Sequence, residues 1–248
     1  MIFYVGLHQP SDAARVARPC MVSVNRLRGR RSDFAVGRWL LDSGAFTEVA
    51  IHGGYRDGPE VYARQAARWA GCGALDAAVS QDYMCEPFVL ARTGLSVAAH
   101  QALTIARYDA LRLLVPPSIY LMPVLQGYLP EQYAAHAAAY GARLRPGMWT
   151  GAGSVCKRNG RPGDMAAVLR AIKAARPDLR LHAFGAKLTA LHSADVRELL
   201  HSADSMAWSY SARKQGRDAN DWREAAAFAS RIDGWRPARS PMEDLWSN

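Results

Sequence analysis

The chain has 248 residues, half of them apolar and 21% charged, enough to bury one sizeable core and suited to a single α/β domain. Its 31 Lys and Arg against 22 Asp and Glu give a formal net charge of +9, a balance that favours a polyanionic partner. No apolar run reaches the ~18 residues needed to cross a bilayer, and the N-terminal MIFYVG has neither a basic region nor a small-residue cleavage site, so no membrane is expected and a cytoplasmic location is.

IFYVG (2–6), CMVSV (20–24) and WLLD (39–42) are the first three strand candidates. Pro59 and Glu60 then open a helix with Tyr62, Ala66, Trp69 and Ala70 on one face, closing at Gly71. LDAAVSQ (75–81) is a fourth strand, a helix from about Ser96 to Leu114 stops before Pro116 and Pro117, and IYLMPVLQ (119–126) is a fifth strand. Pro130 opens a helix carrying Tyr133, Ala137 and Tyr140, and MWTGAG (148–153) follows. Asp164 caps a helix with Val168, Leu169 and Ile172; LRLHAFG (179–185) is the next strand; Ser193 caps a helix with Val196, Leu199 and Leu200. DSMAWS (204–209) is an eighth strand, and a last helix runs from about Asn220 to Ile232.

Eight strands alternating with helices in this length call for a (β/α)8 TIM barrel over residues 1–234, with 235–248 as an irregular C-terminal extension. A doubly wound open sheet is the alternative, but no GxGxxG follows the first strand. Cys20, Cys72, Cys85 and Cys156 lie far apart without metal-ligand spacing, so they read as buried free thiols and no metal is expected. Trp208 and Tyr210 read as core, and His8 as a structural histidine. The excess positive charge gathers in RLRGRR (Arg26, Arg28, Arg30, Arg31), KRNGR (Lys157, Arg158, Arg161) and RKQGR (Arg213, Lys214, Arg217), which are candidate phosphate contacts or solvated loops.

In a barrel, the C-terminal ends of the strands converge on one catalytic face. Those ends carry Asp42, Ser43 and Gly44, then Asp82, Gln126 with Gly127, Gly151 and Ala152, Gly185, and Asp204. A guanine-like base presents N1–H and an amine beside O6. One carboxylate, Asp82, can take both donors, while the Gln126 amide and a backbone N–H of Gly151 or Ala152 serve O6. Asp42 and Asp204 then suit glycosidic chemistry, one handling the proton and the other the sugar carbon. Each has a plainer reading: Asp42 as a turn aspartate, Asp82 as a helix cap, Gln126 as an interior hydrogen bonder, Asp204 as a cap or an arginine partner.

LDSGAF, SQDYMCEP, VLQGY, GAGSV, FGAK and ADSMAW, in that order, resemble the motifs of the tRNA-guanine transglycosylase superfamily, and most closely its DNA-acting branch, the 7-deazaguanine DNA-insertion (DpdA) family of bacteriophages and bacterial genomic islands. The resemblance spans roughly Phe3 to Arg217. It implies exchange of guanine in DNA for a 7-deazaguanine such as 7-cyano-7-deazaguanine, with no cofactor. By motif, Asp42 matches the general acid/base, Asp82 and Gln126 the base-recognition pair, the GAG stretch the amide contact to O6, and Asp204 the nucleophile; an alignment anchored on Arg213 puts Ala207 there instead. The tRNA enzymes carry three cysteines and a histidine for zinc after the nucleophile. Here no cysteine follows Cys156, which favours DNA over tRNA, and a monomer is expected because that subdomain supports dimerisation in the bacterial tRNA enzymes. Lys157 stands where bacterial tRNA enzymes have an acid, as suits a phosphate neighbour. Hydrolytic base removal and a non-catalytic nucleic-acid-binding barrel are the other functions weighed.

Overall fold

The structure is a computed structural model that describes residues 1–156 and 161–234; Lys157, Arg158 and the 235–248 extension lie outside the described residues. The strands are β1 (Ile2–Leu7), β2 (Cys20–Ser23), β3 (Arg38–Asp42), β4 (Ala74–Val79), β5 (Leu121–Met122), β6 (Val124–Leu125), β7 (Trp149–Ala152), β8 (Arg180–Ala183) and β9 (Ser202–Ser205). All pair in parallel, in the order β5-β4-β3-β2-β1-β9-β8-β7-β6. The two end strands are consecutive in the chain across Pro123, which has no N–H to give to a ladder, so one run of chain closes the sheet into a barrel. Counting that run once, the eight expected strands are all present.

The helices are α1 (Ala13–Val16), α2 (Pro59–Trp69), α3 (Pro87–Thr93), α4 (Val97–Leu114), α5 (Pro130–Tyr140), α6 (Pro162–Ala175), α7 (Leu188–Leu191), α8 (Ala194–Leu199), α9 (Ala207–Lys214) and α10 (Trp222–Asp233). Proline in the first turn starts four of the longer ones, where its missing N–H costs nothing. Ser96 caps α4 through Ala99 N–H, and Asp221, one residue after the expected start, caps α10 through Arg223 N–H. Asp164 lies in the first turn of α6, which begins at Pro162, and is not its cap.

DSMAWS is not a strand throughout. The strand stops at Ser205, whose hydroxyl accepts the Ala207 N–H and starts α9, and Trp208 turns back to donate its indole N–H to the Gly6 carbonyl. Trp208 is core as expected; Tyr210, half exposed on α9, is not.

Strand alternation sorts the side chains into two sets. Val5, Val22, Leu41, Ala152, Leu181 and Ala203 point outward into the main core beneath the helices. Tyr4, Met21, Leu40, Val79, Met122, Val124 and Trp149 fill the barrel interior. Two residues further along, the inward positions become Gly6, Ser23, Asp42, Gln126, Gly151 and Asp204. Gly151 is small because the Phe184 ring occupies its inner face: a Cβ there would lie 2.3 Å from a ring carbon. Gly151→Ala is therefore expected to push Phe184 off its seat and cost about 1–3 kcal/mol, as overpacked cores do. Urea unfolding checks it, and an unchanged midpoint would contradict the packing described.

Candidate active site

The inward side chains at the C-terminal ends of the strands surround a cavity of about 410 Å³. Asp42, on β3, and Asp204, on β9, both line it, with β2 and β1 between them in the sheet. Burial pushes the Asp42 carboxyl up to about 6, and the charge of Asp204 adds to the rise; the Ser23 hydroxyl and the Gly44 and Ser43 amides oppose it. The two acids thus sense each other across one pocket.

Asp204 is held on one oxygen. His182 Nε2 lies 3.2 Å from Oδ1, and Gly185 N–H donates to the same atom at 3.0 Å. An interior chain of polar groups stands behind the histidine. Trp149 Nε1–H can only donate, and does so to Ser202 Oγ at 2.7 Å; Ser202 is 2.9 Å from His182 Nδ1. The Asp204 carboxylate is an acceptor, so the Nε2 facing it carries the proton, and the neutral ring then takes the Ser202 hydroxyl at Nδ1. Every donor in this column faces the carboxylate, and Oδ2 takes no hydrogen bond from the described residues.

On another wall, Gln126 Nε2 donates to Asp82 Oδ2 in a short contact, and Ser43 Oγ–H reaches Asp82 Oδ1 at 3.4 Å. Tyr55 grips the Asp82 backbone, accepting its N–H at 2.9 Å and donating to its carbonyl at 3.1 Å. The Asp82 carboxyl is raised to about 7, by burial first and by the Asp42 and Glu86 charges after it, with the Gln126 amide pulling the other way. Gly153 leaves room for Gln126, since a Cβ there would fall 2.1 Å from Nε2. The Phe46 and Phe184 rings also line the cavity, so a planar ligand has aromatic surface available beside two carboxylates and an amide. Among the described residues no group of three or more His, Cys, Asp or Glu is set to hold a metal ion, and no helix is long and apolar enough to cross a membrane.

A family model described as DpdA, DeoxyPurine in DNA protein A, matches residues 1–226. The chain belongs to the DpdA family. No curated protein matches it.

Of the residues singled out in this DpdA-family sequence, Asp42, Asp82, Gln126, Gly185 and Asp204 line the cavity. Ser43 and Gly44 stand behind it, bonding Asp82 and Asp42. Gly127, Gly151 and Ala152 do not line it. The Gly127 inner face meets the Tyr133 ring, the Gly151 N–H is taken by the Pro123 carbonyl at 2.8 Å, and Ala152 points into the outer core. The part of this loop that does line the cavity lies further along, at Gly153 and Ser154; the Gly153 N–H is itself bonded to the Leu125 carbonyl. Ala207, the alternative to Asp204, sits in the first turn of α9 and lines no part of the cavity.

The basic residues divide in the same way. Arg28 pairs with Glu48 and Asp57, Arg217 pairs with Glu224, and Arg30 bonds the carbonyls of Ser32 and Asp33, so these three serve the fold. Arg26, Arg31, Arg161, Arg213 and Lys214 are exposed, and no carboxylate among the described residues pairs with them. Arg26 donates to His8 Nδ1 at 3.1 Å, and His8 Nε2 meets Ser209 Oγ at 2.8 Å. Burial lowers the His8 pKa, and the Arg26 and Arg213 charges lower it further, so two unneutralised guanidiniums stand near the end of β1. His182, Ser154, Glu86 and Phe46 were not singled out from the sequence. His182 was the most legible, two positions before Phe184 on an inward-facing strand; Glu86 and Ser154 lie on loops, where no period marks a facing.

Asp42 and Asp82 titrate above the unfolded carboxylate range, so the stability they allow is complete below about pH 4 and is lost as pH rises through about 6 to 7. Asp42→Asn and Asp82→Asn remove that loss. The melting-temperature gain of each variant over wild type is expected to grow by several degrees, on the order of 1 kcal/mol, between pH 5 and pH 8. A gain that shrinks over that range in calorimetry would contradict the assigned burial of charge.

Proposed function

We propose that this DpdA-family chain is a DNA guanine transglycosylase that exchanges guanine for a 7-deazaguanine through a covalent ester on Asp204. One observation carries the reading: two carboxylates line one cavity near enough for Asp204 to raise the Asp42 carboxyl, beside an Asp82–Gln126 pair shaped for a guanine edge.

The guanine must leave the stack to reach the cavity, with the duplex backbone held by Arg26, Arg31, Arg161, Arg213 and Lys214, joined by Lys157 and Arg158. Asp82 accepts N1–H and the amine, and Gln126 turns its NH2 from Asp82 to O6. Asp204 Oδ2, the oxygen not occupied by His182 and Gly185, attacks C1′ while the C1′–N9 bond breaks. The N9 electron pair takes the Asp42 proton, so guanine departs neutral and the sugar is left as an aspartyl ester of inverted configuration. The incoming base gives its N9 proton to Asp42 and attacks C1′; the ester C–O bond breaks, and the second inversion restores the original stereochemistry. Atoms and charge balance without nucleotide hydrolysis or redox chemistry. The scheme needs a proton on Asp42 at the start and a free lone pair on Asp204, and neighbouring carboxylates in one pocket favour such a split.

His182 is a positioning residue in this scheme. Incubation with labelled guanine and DNA is expected to place label in the DNA, and none in tRNA. Asp204→Ala and Asp42→Ala should each abolish exchange while keeping the fold. His182→Ala should lower kcat by about 10- to 100-fold with KM for the base retained, the mark of a misaligned nucleophile. Label entering only tRNA points to the RNA reaction, abasic sites to hydrolysis, and DNA binding without exchange to a binding module; any of these, or full activity in Asp204→Ala, overturns the proposal.

A further inference from the structure

The cavity wall carries an acid that the exchange chemistry leaves unused. Glu86 is 2% exposed and lines the cavity. It occupies the N-cap position of α3, yet its side chain makes no capping bond. The carboxylate lies between Ser154, whose Oγ is 2.8 Å from Oε2, and Cys156, whose Sγ is 3.7 Å from Oε1. No Lys, Arg or His among the described residues forms an ion pair with it. A buried carboxylate without a cation is costly unless something else supplies donors.

Ser154 cannot supply enough. Its single hydroxyl proton faces two acceptors, Glu86 Oε2 at 2.8 Å and Gln126 Oε1 at 2.7 Å, while its oxygen already takes the Cys85 N–H at 2.8 Å. The pair is one strong donor short, and the shortfall lies on the cavity wall.

The order of these groups says where that donor would come from. Contacts at hydrogen-bonding distance run from Asp82 to Gln126, from Gln126 to Ser154 and from Ser154 to Glu86 in sequence, the last two sharing one hydroxyl proton. Round the edge of a 7-deazaguanine, the order is the amine with N1–H, then O6, then the substituent on C7. A base set with its donors on Asp82 and O6 toward Gln126 presents C7 to Ser154 and Glu86. We infer that Glu86 and Ser154 form a subsite for the 7-substituent, and that it selects a 7-deazaguanine bearing a cationic hydrogen-bond donor such as an amidine over one bearing a nitrile. An amidinium brings both the charge and the N–H groups this corner lacks; a nitrile turns a lone pair toward a carboxylate. The inference rests on the base-exchange reading above and narrows the 7-cyano base named from the resemblance to a different member of its class.

The test is competition between 7-amidino- and 7-cyano-7-deazaguanine for DNA in the presence of the full chain, read by nucleoside mass spectrometry, with labelled guanine as the control for exchange itself. The kcat/KM ratio should favour the amidine by at least about tenfold, since sites built around polar groups reject analogues that leave them unpaired. In Glu86→Gln the ratio should fall to within about threefold of one, and Ser154→Ala should lower it in the same direction. Equal or preferred insertion of the nitrile by the wild type, or a ratio unchanged in folded Glu86→Gln, overturns the subsite while guanine exchange still stands. Should labelled guanine not enter DNA, the exchange reading has failed, and calorimetric titration of the wild type with the two free bases decides the subsite: tighter amidine binding supports it and equal affinities overturn it.

Discussion

Two carboxylates that share one cavity repel each other when both are charged, and the architecture around Asp42 and Asp204 is arranged about that constraint. Asp42 receives the like charge of Asp204 and the Gly44 and Ser43 amides. Asp204 receives a ring N–H and a backbone N–H on one oxygen. Unequal hydrogen bonding suits the two acids to different work: one can store a proton while the other offers a lone pair. Parallel strands deliver this arrangement because each inward position two residues beyond the last interior apolar side chain opens at the same level of the barrel.

The barrel floor supports the site through polar groups that a purely apolar interior would not contain. Trp149, Ser202 and His182 form a directed line of donors ending on Asp204, and each buried polar atom in it is satisfied. Contacts at both ring nitrogens hold the histidine in one pose. On the opposite wall the Asp82, Gln126, Ser154 and Glu86 series is incomplete, and that difference separates a supporting network from a ligand-reading one.

Much of this was legible in the sequence because period-two patterning carries facing information. Asp42 follows Leu40, Gln126 follows Val124, and Asp204 follows Ser202, each by two residues and so on the same, inward face of its strand. Where pairing partners decide the outcome, the sequence is silent. The Gly151 amide looks available in GAGSV but is taken by the carbonyl of Pro123, between β5 and β6. Arg28 looks like a phosphate contact within RLRGRR until Glu48 and Asp57 fold over it. DSMAWS reads as one apolar run, and only the Ser205 hydroxyl at its middle shows why it turns into a helix. Glu86 lies four residues after Asp82 on a segment with no regular repeat, so its turn toward the cavity follows from tertiary contacts with Ser154 and Cys156 alone.

The central claim is that Asp204 forms a bond to the sugar. Mixing the protein with guanine-containing DNA in the absence of any incoming base, quenching in acid and mapping peptides by mass spectrometry tests it directly. The account predicts a nucleic-acid adduct on the peptide containing Asp204, discharged when free guanine is added before the quench. An adduct on a different residue, or exchange that proceeds at full rate with no adduct detectable under single-turnover conditions, would contradict it.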